Sequence, residues 1–110
     1  MQKFKLFIDN KWVDAEGGKT FLSYDPSTGE PIAEMASASK ADVDKAVAVA
    51  KKTFDSGVWS DLSGDDRAKY MLKAVEIMRR RLPELAKWEA LDTGKPLRET
   101  EMVDIIYSMR

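Results

Sequence analysis

The sequence predicts an α+β fold in which an N-terminal β-hairpin or ribbon is followed by four α-helices. Two observations carry this prediction. Up to about residue 38, short runs rich in β-branched and aromatic residues alternate with turn residues. Beyond it, apolar residues recur at helical spacing, and capping and stop signals divide them into separate helices. We therefore expect a single segment over 1–110, with a β-ribbon over 1–38 and a helical part over 39–110.

The composition excludes several classes of function. The 110 residues contain neither cysteine nor histidine, so the chain has no thiolate nucleophile, no thiol ligand for a metal and no imidazole base. These absences argue against a self-contained acyl-transfer or zinc enzyme. With 18 basic and 19 acidic residues, the net charge of −1 gives no bulk attraction to nucleic acid or anionic lipid.

The sequence also lacks the segments that direct a chain to or across a membrane. No run approaches the roughly 18 apolar residues that a membrane helix requires. The opening residues become polar too soon for a secretory signal. Together with the absence of cysteine, this predicts a cytoplasmic protein with no membrane partner and no nucleic-acid partner.

The N-terminal part contains signals for two pairs of strands. Apolar runs at 6–8 and 12–13 flank Asp9 and Asn10, which tolerate the positive φ of a tight hairpin turn. The glycine-rich residues 16–19 break the chain before the second pair.

The second pair consists of the β-rich runs 20–24 and 31–35 on either side of the turn 25–30. In this turn, Pro26 presets its own φ and Gly29 supplies a residue for the left-handed region. We therefore expect two strands joined by this turn.

A first helix is predicted to begin after Ser39. Ser39 and Asp42 have the spacing of a capping box, in which two side chains satisfy backbone N–H groups at the helix start. Ser56 and Gly57 mark its expected end. One face of this helix carries a stripe of apolar residues, at Val43, Ala46, Val47, Ala50 and Phe54.

Three further helices follow by the same rules. Ser63 repeats the start signal, and the arginines at 79–81 suit the carbonyl end of the second helix. The stripe of this helix is Met71, Ala74, Val75, Met78 and Leu82, widened by Leu72 and Ile77. Pro83 suits the first turn of a third helix and Gly94 its end. A fourth helix is predicted over 97–110, with Met102, Ile105, Ile106 and Met109 on one side.

Two groups of residues allow a functional interpretation as well as a structural one. Asp61, Asp65 and Asp66 offer oxygens for calcium, but they match no known loop spacing and suit the first turn of a helix. The arginines at 79–81 could bind phosphate or form a solvated helix end. The glycines form no G-x-G-x-x-G pattern after a strand. The residues themselves thus indicate a fold without an active site.

Several motifs, taken in order, resemble the start of the aldehyde dehydrogenase superfamily. Residues 6–13 are similar to its first β-hairpin. Residues 24–33 resemble its N-P-x-T-G-E turn, with Asp25 where asparagine is usual. Residues 42–47 look like the start of its first helix.

The resemblance continues to the end of the chain. Trp59 and Arg67 match a tryptophan and an arginine that precede and open the family's second helix. The longest match is 89–97, followed by residues 99–100 and 103–105, and it resembles the betaine-aldehyde-like branch in particular.

This resemblance implies a parent enzyme that oxidises an aldehyde to a carboxylic acid with NAD or NADP. In the family a cysteine attacks the aldehyde, hydride passes to the nicotinamide, and a glutamate activates the water that releases the acid. These groups, the cofactor pocket and the oligomerisation hairpin all lie downstream of the matched region. The resemblance therefore implies no catalytic residue and no cofactor in this chain, within an oligomeric parent.

One minor site is implied in part. Many family members hold a structural monovalent cation, and the matching positions here are Ser23, Tyr24 and Asp104. The first two would contribute mainly backbone carbonyls, and a further ligand would come from downstream. The alternative is that Asp104 simply faces solvent.

Two hypotheses about the chain's own role stay open. In the first, it is a catalytically incompetent N-terminal fragment whose partner is the rest of the dehydrogenase chain. Apolar surface that includes Ile105, Ile106 and Met109 would then lack its partner, and the isolated chain would self-associate. In the second, it is a stand-alone helical interaction module derived from the family. A small active enzyme is disfavoured because the nucleophile is missing.

Overall fold

The computed structural model describes all residues from Met1 to Arg110, and their contacts divide the chain into two compact units. The first unit consists of Met1–Ser23 and Pro31–Leu62, and the second of Tyr24–Glu30 and Ser63–Arg110. Short strands precede the helices along the chain, which confirms the predicted α+β class. The first unit thus groups the first helical stretch of the chain with the strands, and the second groups the turn 24–30 with the later helices.

Five short strands form two small sheets. They are β1 (Gln2–Phe4), β2 (Leu6–Ile8), β3 (Lys11–Val13), β4 (Thr20–Tyr24) and β5 (Pro31–Ala36). The three-stranded sheet has the order β1-β5-β4, with β1 parallel to β5, and β2 pairs antiparallel with β3. The sequence did not predict β1. Its partner lies far along the chain, Gln2 opposite Ala33, and no local turn signal reports such a pairing.

The predicted hairpin at Asp9 and Asn10 is confirmed. Both residues have positive φ, 54° and 59°, and Ile8 lies opposite Lys11, as expected for a two-residue hairpin turn. Across the hairpin, the rings of Phe7 and Trp12 lie 4.8 Å apart between centroids, a favourable cross-strand pair. Ile8 points the other way and is buried.

The first helix, α1 (Lys40–Asp55), begins with the predicted capping box. The Ser39 hydroxyl accepts from the backbone N–H of Asp42, and one carboxylate oxygen of Asp42 accepts from the N–H of Ser39 at 2.8 Å and of Glu16 at 2.9 Å. These backbone donors, Ser39 first, lower the pKa of Asp42. The cap therefore also fixes the short 3-10 turn Glu16–Gly18 to the start of α1. The buried apolar residues of this unit are Ile8, Ala15 and Ala33.

The second unit is helical. It contains α2 (Gly64–Arg80), α3 (Leu82–Thr93), α4 (Leu97–Glu99), a π-helical turn over Thr100–Asp104, and α5 (Ile105–Ser108). Ser63 caps α2, Pro83 lies in the first turn of α3 and Gly94 ends α3 in the left-handed region, as predicted. α3 contacts every other helical element of this unit, so it is the centre around which the others pack.

The predicted fourth helix is observed over 97–108, but a π-helical turn interrupts its regular repeat. The π-helical turn inserts an extra residue into the helical repeat, so residues before and after it do not share one face as regular spacing requires. Met102 is 59% exposed whereas Met109 is 8% exposed. Met109 is buried, so the expected uncovered surface does not include it, whereas Ile105 and Ile106 are half-buried. The exposed apolar side chains of this stretch are Leu97, Met102, Val103 and Tyr107.

Thr100 begins the π-helical turn and is fully buried against α3. Its hydroxyl oxygen lies 2.9 Å from the carbonyl oxygen of Ala86 and 2.9 Å from that of Leu97. A hydroxyl has one hydrogen, so the two carbonyls share this donor. Ala86, which has no exposed surface, is small enough to let the two helical segments approach closely. The buried polar group is thereby satisfied at the contact between them.

Gly94 combines two constraints at the end of α3. Its φ is 74°, which L-residues with a side chain rarely adopt. A Cβ placed on it would also lie 2.8 Å from Cγ of Pro26 and 3.6 Å from Cβ of Pro26. Because a proline ring cannot rotate away as a flexible side chain can, only glycine fits this position.

We predict that Gly94→Ala lowers the free energy of unfolding by about 1–3 kcal/mol more than Gly17→Ala. Gly17 is the matched control, since its φ is 79° but nothing lies within 4 Å of its Cβ position. Both variants carry the backbone strain, and only the first carries the overlap with Pro26. Urea denaturation followed by circular dichroism measures the difference, and Pro26→Ala should restore part of it in the double variant. Equal losses for the two glycine variants would contradict the close approach.

Candidate functional site

The turn 25–30 is held by hydrogen bonds centred on Asp25. The backbone N–H of Asp25 donates to the carbonyl of Glu30 at 2.9 Å, and that of Gly29 to the carbonyl of Asp25 at 2.7 Å. The carboxylate oxygen Oδ1 of Asp25 accepts from the N–H of Ser27 at 2.7 Å, which is an Asx turn. An asparagine offers the same Oδ1 acceptor, so Asp25 preserves the interaction that this position provides.

This turn packs against the end of α3. Pro26 and Ser27 are the neighbours that a side chain at Gly94 would meet, at 2.8 Å and 3.9 Å. The two stretches that carry much of the family resemblance, 24–33 and 89–97, are therefore in contact. Sequence reasoning identified both stretches but did not predict that they touch.

Asp104, the side chain of the predicted cation site, is paired with a lysine. Nζ of Lys95 lies 2.8 Å from Oδ2 of Asp104, and Asp104 is half-buried. The hydrogen bond to Asp104 raises the pKa of Lys95. The backbone carbonyl of Asp104 also accepts from the Ser108 hydroxyl at 2.8 Å. The carboxylate thus already has a monovalent cationic partner, an ammonium group.

Sequence reasoning missed Lys95. The sequence analysis treated the region after Gly94 only as the end of a helix. The opposite charges of Lys95 and Asp104, which lies on the next helical segment, could have indicated an ion pair. The other two predicted positions end strand β4, where Ser23 is half-buried and Tyr24 is exposed. Ser23 belongs to the first unit, and Tyr24 and Asp104 to the second. No group of three or more acidic side chains is arranged to hold a metal ion.

Asp66 and Arg81, one residue from each of the two charged clusters, have structural partners. A carboxylate oxygen of Asp66 lies 2.8 Å from the Ser63 hydroxyl, and its other oxygen lies 2.8 Å from Nζ of Lys69. Lys69 first and then Ser63 lower the pKa of Asp66. Arg81 makes two hydrogen bonds to Glu84, at 2.9 Å and 2.8 Å, which raise the pKa of Arg81 and lower that of Glu84. These contacts support the helix-terminus interpretation for Asp66 and Arg81.

The other shifted pKa values have the same kind of origin. Lys3 and Glu34 form an ion pair across the β1–β5 sheet at 2.7 Å, and their mutual hydrogen bond raises the pKa of Lys3 and lowers that of Glu34. Each of these pKa shifts therefore traces to an ion pair or a helix cap, and none to a cluster of titratable groups in a cleft.

One open groove of about 370 Å³ lies beside the π-helical turn. Its lining consists of Pro96, Arg98, Glu99, Met102 and Val103. These side chains include no nucleophile and no paired acid and base, so the groove offers an apolar surface with a charged edge and not a set of reacting groups. None of the helices is both long and apolar enough to span a lipid bilayer.

The chain is similar to solved aldehyde dehydrogenases over nearly its whole length. An NAD⁺ complex of an aldehyde dehydrogenase from Bacillus cereus is 36% identical, superimposes with a TM-score of 0.91, and is matched over 97% of this chain and 22% of its own. The gamma-glutamyl-gamma-aminobutyraldehyde dehydrogenase of Burkholderia cenocepacia is 40% identical with a TM-score of 0.93, over 96% of this chain and 22% of its own.

The sequence comparisons agree with the structural ones. The Bacillus subtilis protein DhaS, named as an aldehyde dehydrogenase, is 45% identical over 101 residues, which are 92% of this chain and 20% of DhaS. The chain thus spans about a fifth of the length of the relatives that it matches. The model of the aldehyde dehydrogenase family matches residues 12–110, and the chain therefore belongs to this family.

Proposed function

We propose that this chain is the N-terminal segment of an NAD(P)⁺-dependent aldehyde dehydrogenase and has no catalytic activity on its own. The observation that carries the proposal is the family match over 12–110 in a chain without cysteine that spans about a fifth of its relatives' length. The parent enzyme would oxidise an aldehyde to a carboxylic acid. The run 89–97 favours the betaine-aldehyde-like branch for this parent, and the absence of cysteine favours a cytoplasmic location.

The residues of this segment do not fit the dinucleotide that the family uses. Pyrophosphate is commonly bound by free N–H groups at a helix N-terminus. Here the hydroxyls of Ser39 and Ser63 accept from the N–H groups of Asp42 and Asp66 at the starts of α1 and α2. The acidic side chains in these first turns also repel an anion. α3 has Glu84 in its first turn. We therefore assign the cofactor, NAD or NADP, to the rest of the parent chain.

The distribution of exposed apolar side chains favours the hypothesis that the chain is a segment of a longer enzyme over the hypothesis that it is a stand-alone interaction module. Large apolar side chains are exposed on the β-hairpin, α1, α2 and the segment 97–108. A monomeric protein seldom exposes this many, and an interaction module usually concentrates them in one patch. A segment of a larger protein exposes them on each element that packs against the missing part. The alternative, a helical interaction module derived from the family, would instead require a partner that covers several faces.

We further propose that Tyr24 and Asp104, the positions of the family's cation site within the second unit, can bind a monovalent cation in competition with Lys95. The ammonium of Lys95 contacts Asp104 at 2.8 Å and supplies the same charge as sodium or potassium. Removal of this ammonium leaves a half-buried carboxylate without its partner, a state that a small cation would stabilise. The third position, Ser23, stays a prediction of the resemblance.

The first experiment compares the chain alone with the chain inside a relative. We expect the purified 110-residue chain to form no NADH from aldehydes and NAD⁺, because it has no cysteine to attack the carbonyl. We expect a chimaera, in which it replaces the matched 22% of the Bacillus cereus enzyme, to keep measurable dehydrogenase activity. The unmodified enzyme is the control. NADH formation by the isolated chain would contradict the proposal. So would an inactive chimaera, if the isolated chain also bound a specific protein partner.

The second experiment tests the cation. We expect Lys95→Met to melt at a higher temperature in sodium or potassium chloride than in choline chloride of equal ionic strength, because only the small cations can approach Asp104. Lys51→Met is the matched control, since it removes a lysine from the ion pair with Asp55 on an exposed helix surface. If the Lys95→Met chain melts at the same temperature in all three salts, Asp104 binds no cation.

A further inference from the structure

The peptide bond between Asp25 and Pro26 differs chemically from every other bond in the chain, because this is the only Asp-Pro pair. The backbone nitrogen after an aspartate can attack the side-chain carboxyl group and form a cyclic imide. The nitrogen of proline has no hydrogen to lose, so this route is closed at Pro26. The carboxyl group of Asp25 can still reach the carbonyl carbon of its own residue, through a ring closed by Cα, Cβ and Cγ.

The fold of the turn restrains this carboxyl group and polarises this carbonyl. Oδ1 of Asp25 accepts from the backbone N–H of Ser27 at 2.7 Å, so the side chain bridges the bond to Pro26. The carbonyl oxygen of Asp25 accepts from the N–H of Gly29 at 2.7 Å and of Thr28 at 3.3 Å. Two such donors stabilise the negative oxygen that forms when a nucleophile attacks a carbonyl carbon.

The surroundings also suit the two charges that a break in this bond would create. The ring of Pro26 lies against Gly94, with its Cγ 2.8 Å from the position of a Cβ on this glycine. Gly94 ends α3, and the carbonyl end of a helix favours a positive charge, such as the ammonium of a released proline nitrogen. A new carboxylate on Asp25 would keep the N–H donors of Thr28 and Gly29.

We propose that the turn 25–30 cleaves its own backbone between Asp25 and Pro26. A carboxyl oxygen of Asp25 bonds to the carbonyl carbon of the same residue, the bond from this carbon to the nitrogen of Pro26 breaks, and the nitrogen leaves with the carboxyl proton. Water then opens the cyclic anhydride, which restores the side-chain carboxyl group and leaves a free α-carboxyl group on Asp25. Water is the only co-reactant, and Pro26 is exposed to it. The products are the fragments 1–25 and 26–110.

This reaction follows from a departure of the chain from its family pattern. An asparagine is usual where Asp25 stands, and its amide is a weaker nucleophile than a carboxylate. The side-chain oxygen of an asparagine would still accept from the N–H of Ser27, so the turn itself does not require the acid. The cleavage uses only residues of this turn and water, and it does not depend on the proposed dehydrogenase role.

The first test compares the folded and the unfolded chain. The purified chain is incubated in mildly acidic buffer with and without urea, and its intact mass is followed by mass spectrometry, while circular dichroism verifies the folded state. We expect two fragments whose masses add up to that of the chain plus one water. We expect them to form at least about tenfold faster without urea, because only the folded turn directs two N–H groups at the carbonyl of Asp25.

The bond between Glu30 and Pro31 is the internal control. The carboxyl group of Glu30 reaches its own carbonyl only through a ring that is larger by one carbon, and the donor to this carbonyl is the N–H of Asp25 at 2.9 Å. We expect this bond to stay intact while the bond after Asp25 breaks. Equal cleavage at both prolines would show that the turn contributes nothing and would overturn the proposal.

Asp25→Asn is the matched variant. It keeps the acceptor for Ser27 and removes the carboxyl group, so we expect an unchanged urea midpoint and cleavage at least about tenfold slower than in the unmodified chain. Equal rates in the two chains would exclude Asp25 as the nucleophile. Cleavage that is as fast in urea as in buffer, or a chain that stays intact in both, would also overturn the proposal.

Discussion

The close approach of Gly94 to Pro26 fixes the arrangement on which the second unit depends. A left-handed glycine turns the chain sharply at the end of α3, and the missing Cβ leaves room for the proline ring. The turn 24–30 is thereby grouped with helices that follow it by more than thirty residues. The same bend leads the chain into α4, so that Thr100 meets Ala86 and Lys95 meets Asp104.

The bend at Gly94 brings polar as well as apolar side chains into contact. Thr100 donates its hydroxyl to a carbonyl of α3 where two helical segments touch, and burial makes this donor costly to lose. The π-helical turn that begins at Thr100 then rotates Met102 and Val103 outward while Met109 is buried. The unit thus satisfies its buried polar group, whereas several apolar side chains of the segment 97–108 stay exposed.

Much of the secondary structure could be predicted because its signals are local. The hairpin followed from Asp9 and Asn10, the start of α1 from Ser39 and Asp42, and the end of α3 from Gly94. Strand β1 was missed because its partner in β5 is distant in sequence, and the π-helical turn was missed because periodicity assumes a constant repeat. Of the candidate site, the sequence supplied Asp104 but not its partner Lys95, since pairing across a bend depends on tertiary structure.

The most direct test of this account is a measurement of the contact between Gly94 and Pro26 in the chain in solution. In a ¹³C,¹⁵N-labelled sample, we expect a nuclear Overhauser effect between the Hα protons of Gly94 and the ring protons of Pro26, because a Cβ on Gly94 would lie 2.8 Å from Pro26 Cγ. Observation of this effect would show that the 110 residues by themselves bring the turn 24–30 to the end of α3. A well-resolved spectrum of a folded chain without it would contradict the account.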